Sequence, residues 1–295
     1  MRMAFALTAI VASIAHAQGA VSGGNATIYM GGYDRAIHVI AESTLTVREK
    51  MPLSVGLPAG LTLSYDRKRL YVRDATFEKV EVFDLESRRS VDTFTLTQGN
   101  AKVRIWGFDV DPTQRFAVIL IKRYTKLPDR FEVGPPRLVR YDLATHAVTD
   151  TIPWPKNEER EGVRILFSPD GRFLYFFSDD ILIYRTDSLR EVDRWQLSQP
   201  LEEGMGRFNF PFLVSFYEEP GFYTGLFRIT DPVQNRRMMG IARVNLSAKS
   251  VDFYALGPDE GVSFVLAPDR KKAYGLRQRV GDYQFWTFDL EGRRV

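Results

Sequence analysis

The side chains able to move protons or bind metals are few. The chain holds three histidines and no cysteine. His16 falls in an N-terminal apolar run, which leaves His38 and His146. These two occupy different places in the repeat described below, so no shared metal or catalytic centre is expected of them. The missing cysteines exclude a thiolate zinc site, an iron–sulfur cluster, a CxxCH haem attachment and a cysteine nucleophile. No G-x-S-x-G, H-E-x-x-H, G-x-G-x-x-G or P-loop pattern occurs. Gly204-Met205-Gly206 is only the first half of a dinucleotide fingerprint.

Carboxylates come in adjacent pairs: Asp179-Asp180, Glu202-Glu203, Glu218-Glu219 and Asp259-Glu260. Glycoside hydrolysis needs two carboxylates across one bond. Neighbouring residues in a turn usually point apart, so the spacing favours solvated loop charge. The most unusual stretch is Arg207-Phe208-Asn209-Phe210-Pro211-Phe212, followed by Phe216-Tyr217 and Phe222-Tyr223. Alternating strand positions explain many of these rings as packing. The competing reading is a contact surface or an aromatic pocket wall.

Composition narrows the class. The chain is 44% hydrophobic, too apolar for a disordered chain. A net charge of +3 over 295 residues, with both signs interleaved, does not point to nucleic acid. Met1-Arg2 precedes a mostly apolar run at 3–14, and Ala15-His16-Ala17 follows. This is a secretory signal with cleavage expected after Ala17, leaving 18–295 as a single domain. The run is about 12 residues, short of the roughly 20 that cross a bilayer. Periplasmic or secreted localisation is expected.

The elements that must position these residues are short strands in a repeat. A turn signal recurs at roughly 50-residue intervals: Ser64-Tyr65-Asp66, Asp111-Pro112-Thr113, Ser168-Pro169-Asp170 and Ala267-Pro268-Asp269. A degenerate copy is expected near Ser215. In phase with it runs an alternating strand closed by a polar residue: Val80-Glu81-Val82-Phe83-Asp84, Leu138-Val139-Arg140-Tyr141-Asp142, Ile181-Leu182-Ile183-Tyr184-Arg185, Ile241-Ala242-Arg243-Val244-Asn245 and Phe285-Trp286-Thr287-Phe288-Asp289. Ile37-His38-Val39-Ile40-Ala41 is an earlier copy. Four short strands per repeat predict an all-β fold, a β-propeller of four-stranded blades. The turn aspartates are expected to cap their turns. The first blade lacks its inner strand and the last its outer one in this count. That predicts a seven-bladed ring whose C-terminal part is missing from this chain, with a six-bladed ring as the runner-up.

Label the strands of a blade A to D outward from the axis. The B–C insertions at 122–136 and 229–237, and the D–A segments at 98–105, 155–163 and 198–211, then elaborate one face and leave the other plain. Function in repeat folds sits on the elaborated face. The candidate partner or substrate face is Arg123, Tyr124, Phe131, Arg207, Phe208, Tyr217, Phe222, Tyr223, Arg236 and Arg237.

Phe131-Glu132-Val133-Gly134-Pro135-Pro136-Arg137, leading to Tyr141-Asp142-Leu143, resembles the blade-three hairpin of the β-subunit of quinohemoprotein amine dehydrogenase. Phe222-Tyr223-Thr224 with Asp231-Pro232, and Ala267-Pro268-Asp269 through Phe288-Asp289-Leu290, are similar to later blades of that subunit. The SPDG-type turn also occurs in YVTN-type bacterial propellers. The resemblance implies a seven-bladed periplasmic propeller with no catalytic residues and no cofactor of its own. Haem would sit in a di-haem cytochrome partner, and a tryptophan-derived quinone in a small crosslinked partner. This chain would dock them and wall the substrate pocket. A stand-alone binding propeller with no oxidoreductase role is the alternative.

Overall fold

The structure, a computed structural model, describes residues 24–154, 164–177, 180–197, 206, 208–215, 221–231, 236–279 and 281–290. The signal run, Arg207 and Tyr217 lie outside the described residues.

Every named element is a strand, and the strands fall into six antiparallel sheets arranged as blades. Blade 1 is β1 (Thr27–Gly31), β2 (Ala36–Ala41) and β3 (Thr46–Pro52). Blade 2 is β4 (Pro58–Leu63), β5 (Arg69–Asp74), β6 (Lys79–Asp84) and β7 (Arg89–Thr95). Blade 3 has five strands: β8 (Ala101–Val110), β9 (Phe116–Lys126), β10 (Phe131–Val133), β11 (Arg137–Asp142) and β12 (Ala147–Pro153). Blade 4 is β13 (Arg164–Phe167), β14 (Phe173–Phe177), β15 (Ile181–Arg185) and β16 (Arg190–Trp195). Blade 5 is β17 (Phe208–Ser215), β18 (Phe222–Asp231), β19 (Arg236–Asn245) and β20 (Ser250–Pro258). Blade 6 is β21 (Val262–Leu266), β22 (Lys272–Arg279) and β23 (Asp282–Asp289).

The turns form as their chemistry dictates. In the A–B turn of blade 2, Ser64 Oγ donates to Asp66 Oδ1 at 2.6 Å, and Lys68 N–H donates to the same carboxylate at 3.1 Å. Ser168 and Asp170 repeat this in blade 4, at 2.5 Å. In blade 3 the first turn residue, Asp111, does the capping and accepts from Thr113 and Arg115. Left-handed residues recur at fixed turn positions, Arg67, Gln114, Gly171 and Arg270 in the A–B turns. Leu45, Arg88, His146, Leu189 and Lys249 do the same in the C–D turns. His146 therefore owes its φ of 55° to the architecture.

The core lies between blades. Five apolar clusters each bridge one neighbouring pair, from Ile37, Met51 and Val72 between blades 1 and 2 to Leu226, Ile241 and Phe264 between blades 5 and 6. A polar link accompanies the packing at every junction. Glu81 Oε2 accepts the N–H groups of Ser54 and Val55 at the first. Arginines serve the next four. Arg73 donates to Ile105 O at 2.8 Å, Arg140 to Thr186 O at 3.1 Å, Arg164 to Leu213 O at 2.7 Å and Arg228 to Val262 O at 2.8 Å. A long guanidinium stem reaches across a blade gap while its fork satisfies a carbonyl of the next blade.

The sixth junction corrects the expected blade count. Glu42 stands where later blades carry Leu85, Leu143, Thr186 and Leu290, all donating the same backbone N–H bond after their third strand. Its carboxylate is 2% exposed, accepts Ala26 N–H at 2.8 Å and takes the Tyr274 hydroxyl of blade 6 at 2.8 Å. Blade 6 therefore sits directly against blade 1. The ring has six blades, and the expected seventh has no place between them. Two incomplete blades leave an apparent gap along the chain, but in space they adjoin through Glu42 and Tyr274. Blade 1 has no inner strand among the described residues, and Leu61 and Leu63 on blade 2's inner strand stand 38% and 44% exposed beside it. No helix of the described residues is long and apolar enough to cross a membrane.

Candidate functional site

Blade 3 carries the main elaboration. β9 runs past the level of its neighbours and turns back as β10, with Phe131 opposite Lys126 and Val133 opposite Tyr124. On its other side the extended β9 pairs with β8, where Lys102 faces Tyr124 and Arg104 faces Lys122. The segment 98–105, expected as a loop, is mostly strand. Ala101, Val103 and Ile105 alternate inward and are buried, which zips it onto β9.

Paired residues share a sheet face. Lys102, Arg104, Lys122, Tyr124, Lys126, Phe131 and Val133 therefore line one side of the extension, and Arg123 the other. Phe131 and Val133 are 66% and 52% exposed. Lys102 pairs with Glu78 of blade 2 at 2.9 Å. Among the described residues no carboxylate pairs with Arg104, Lys122, Arg123 or Lys126. The Arg104 guanidinium lies over the Tyr124 ring, 4.9 Å from its centroid.

A second group sits at the root of this extension, around Ile105. Arg73 projects from β5 across Gly60 of the inner strand. A Cβ at Gly60 would stand 3.0 Å from Arg73 Nη2, so a side chain there would push the guanidinium by a few tenths of an ångström. The guanidinium rests on Phe77, 4.9 Å from its centroid, and Phe77 stacks on Trp106 at 5.3 Å. Ile105 N–H donates to Phe77 O at 2.6 Å, which fixes the blade 2 loop against β8. Arg73 Nε and Trp106 Nε1 are buried without a hydrogen-bond partner. Burial lowers the Arg73 pKa to about 10. The nearby acids are engaged elsewhere: Asp74 accepts from Thr76, Glu78 and Lys79, and Glu78 holds Lys102.

In later blades, Arg164 lies on the inner strand β13, and Arg228 and Arg277 lie on the second strands β18 and β22. Arg228 pairs with Asp259 at 3.1 Å and Arg277 with Glu260 at 3.4 Å. The adjacent pair Asp259-Glu260 thus splits between two arginines, as turn neighbours do. Asp109 on β8 accepts Phe167 N–H at 2.9 Å. Burial pushes its carboxyl up to about 7, against the opposing pull of that N–H bond, the Val110 N–H bond and Arg164. The other carboxylates take no common site. Asp180 accepts Leu197 N–H, and Asp179, Glu202, Glu203, Glu218 and Glu219 lie outside the described residues.

The remaining candidates scatter. Phe208 and Tyr223 are 2% and 3% exposed and belong to the core between blades 4 and 5, where the Tyr223 hydroxyl donates to Phe167 O at 2.7 Å. Phe222 is half-buried beneath Arg243, whose guanidinium is 3.3 Å from its centroid. Arg236 and Arg237 are exposed at the start of β19, two blades from Arg123 and Tyr124. The histidines are apart: His38 Nε2 meets Asp34 and His146 Nε2 meets Asp92, each at 2.9 Å. Among the described residues no group of three or more metal-ligating side chains converges. Reading the sequence missed Arg73, Arg104 and Trp106. Their strands, RLYVRD and AKVRIWGFDV, carry other charged residues, so nothing in the residue types singled these three out.

No family model matches the chain, and no curated protein matches it either. Solved structures do. The Kuenenia stuttgartiensis hydrazine synthase structure aligns with a TM-score of 0.56 over 94% of this chain and 79% of that chain, at 12% identity. A functionally unknown protein from Desulfotomaculum acetoxidans DSM 771 aligns with a TM-score of 0.47 over 87% of this chain and 77% of that one, at 15% identity. At such identity the likeness to the hydrazine synthase structure establishes the β-propeller fold and nothing beyond it.

Proposed function

We propose that this chain is an exported scaffold propeller that performs no chemistry itself and docks acidic redox partner subunits on its elaborated face. The observation that carries the reading is the blade 3 extension. It offers Lys122 and Lys126, without a carboxylate partner among the described residues, on the same face as exposed Phe131 and Val133, with Arg123 on the opposite face. The segment 122–133 carries Lys122, Arg123, Lys126 and Arg130 against Asp129 and Glu132, a net positive charge that speeds and orients docking of an acidic protein. The signal pattern supports export. The resemblance to the amine dehydrogenase β-subunit supplies the partner class: a di-haem cytochrome and a small quinone-bearing chain, with haem and quinone held by them. The hydrazine synthase fold is compatible with such an assembly role.

The test is to purify the tagged full-length chain from its native periplasm. A complex with a di-haem cytochrome that reduces dye in the presence of amines is the expected result. A chain that elutes alone, without haem and without amine-dependent reduction, overturns the reading in favour of a stand-alone binding propeller.

A further inference from the structure

We propose that the cavity along the outer edge of β7 binds a small hydroxyaryl-alkanoate, its carboxylate on Lys79, its ring against Phe94 and its phenolic oxygen on Tyr141. The cavity measures about 430 Å³, within the range of small-molecule sites. β7 lines it with Thr93, Phe94 and Thr95 in succession. Successive strand residues point to opposite faces, so the cavity has two unlike flanks. One is polar, where Thr93 and Thr95 stand with Ser54 and Lys79. The other is aromatic. There Phe94 stacks on Tyr141 at 4.8 Å, and Tyr141 on His146 at 6.1 Å.

The two flanks call for an anion joined to a ring. Lys79 has no acidic partner among the described residues. The carboxylates nearby are taken: Glu81 accepts the N–H groups of Ser54 and Val55, and Asp92 accepts Thr93 N–H at 2.7 Å and meets His146 at 2.9 Å. That same bond occupies the Thr93 N–H, which disfavours an added strand along this edge. On the aromatic side Tyr141 is 2% exposed, and its hydroxyl is buried without a hydrogen-bond partner. Burial pushes it up to about 12, so it stays a donor at neutral pH. An acceptor oxygen on the ligand ring would remove the cost of that orphan. None of these residues belongs to the docking hairpin, so the site stands whether or not a partner protein binds there.

The experiment is calorimetric titration of the purified full-length chain, at low ionic strength, with para-hydroxyphenylpropionate, phenylpropionate, para-ethylphenol and butyrate. The hydroxyphenylpropionate is expected to bind at one site per chain, about tenfold tighter than ethylphenol or butyrate and about fivefold tighter than phenylpropionate. Lys79→Gln should weaken it about tenfold. Lys79 is exposed, so this variant should melt with the wild type and separates lost binding from lost folding. Tyr141→Phe removes an unpaired hydroxyl, so it should be at least as stable as the wild type while erasing the margin over phenylpropionate. The double variant Lys122→Glu/Arg123→Glu should keep this affinity while losing any partner, which keeps failure of this site distinct from failure of the docking reading. No binding, equal binding of the four compounds, affinity indifferent to Lys79→Gln, or a margin that survives Tyr141→Phe overturns the proposal.

Discussion

The contact between Tyr274 and Glu42 closes the ring, and a double-mutant cycle measures whether it does. Tyr274→Phe removes a hydroxyl donated to a carboxylate at 2.8 Å inside the molecule. Hydrogen bonds to charged groups are worth about 1.5–3 kcal/mol. Glu42→Leu installs the residue type that Leu85, Leu143 and Leu290 provide in other blades, but it strands two donors, the Tyr274 hydroxyl and Ala26 N–H. Its cost is about 2–4 kcal/mol. In the double variant the Tyr274 donor is gone together with its acceptor, so the two costs overlap. The coupling expected is about 1.5 kcal/mol or more. Urea unfolding of the four proteins reads it directly, and each single variant should also melt several degrees lower. Strict additivity, within about 0.5 kcal/mol, would mean that blades 1 and 6 do not touch through this pair, and the six-bladed closure argued from it would fall.

Two further perturbations probe the blade junctions. Tyr223→Phe deletes the buried bond to Phe167 O and should cost about 1–2 kcal/mol in chemical denaturation, with no change in binding at the blade 3 extension. Asp109→Asn should flatten the pH dependence of stability. The folded carboxyl titrates near 7, above its ordinary value of 3.8, so the wild type loses up to about 4 kcal/mol at this site as pH rises from about 4 to above 7. The asparagine variant should therefore gain on the wild type with rising pH, and parallel stability curves would refute the assignment.

Much of the fold was legible because turn chemistry is local. Ser168, Asp170 and Arg172 satisfy one another within five residues, so the repeat they mark can be read from the chain. The strand alternation of Ile181 to Tyr184 is equally local. Two things were not. Glu42 in a leucine position looks like an ordinary polar turn residue until its partner, over two hundred positions away, is known. The junction arginines bond backbone carbonyls of the next blade, which carry no residue-type signature. The same blindness affected the candidate face. Phe208 and Tyr223 belong to an aromatic run, and only the radial packing of blades 4 and 5 decides that these rings point inward. Phe131 stays exposed because it lies on a hairpin insertion with no neighbouring blade to cover it.

The central claim is that the blade 3 extension docks an acidic redox partner. Its most direct measurement is the haem-to-chain ratio of complexes purified from the native host, comparing wild type with Lys122→Glu/Arg123→Glu/Lys126→Glu. The wild type should carry c-type haem at a fixed stoichiometry that weakens with added salt, and the charge-reversed chain should fold normally and elute without haem. Equal haem content in both, or none in the wild type, would contradict the account.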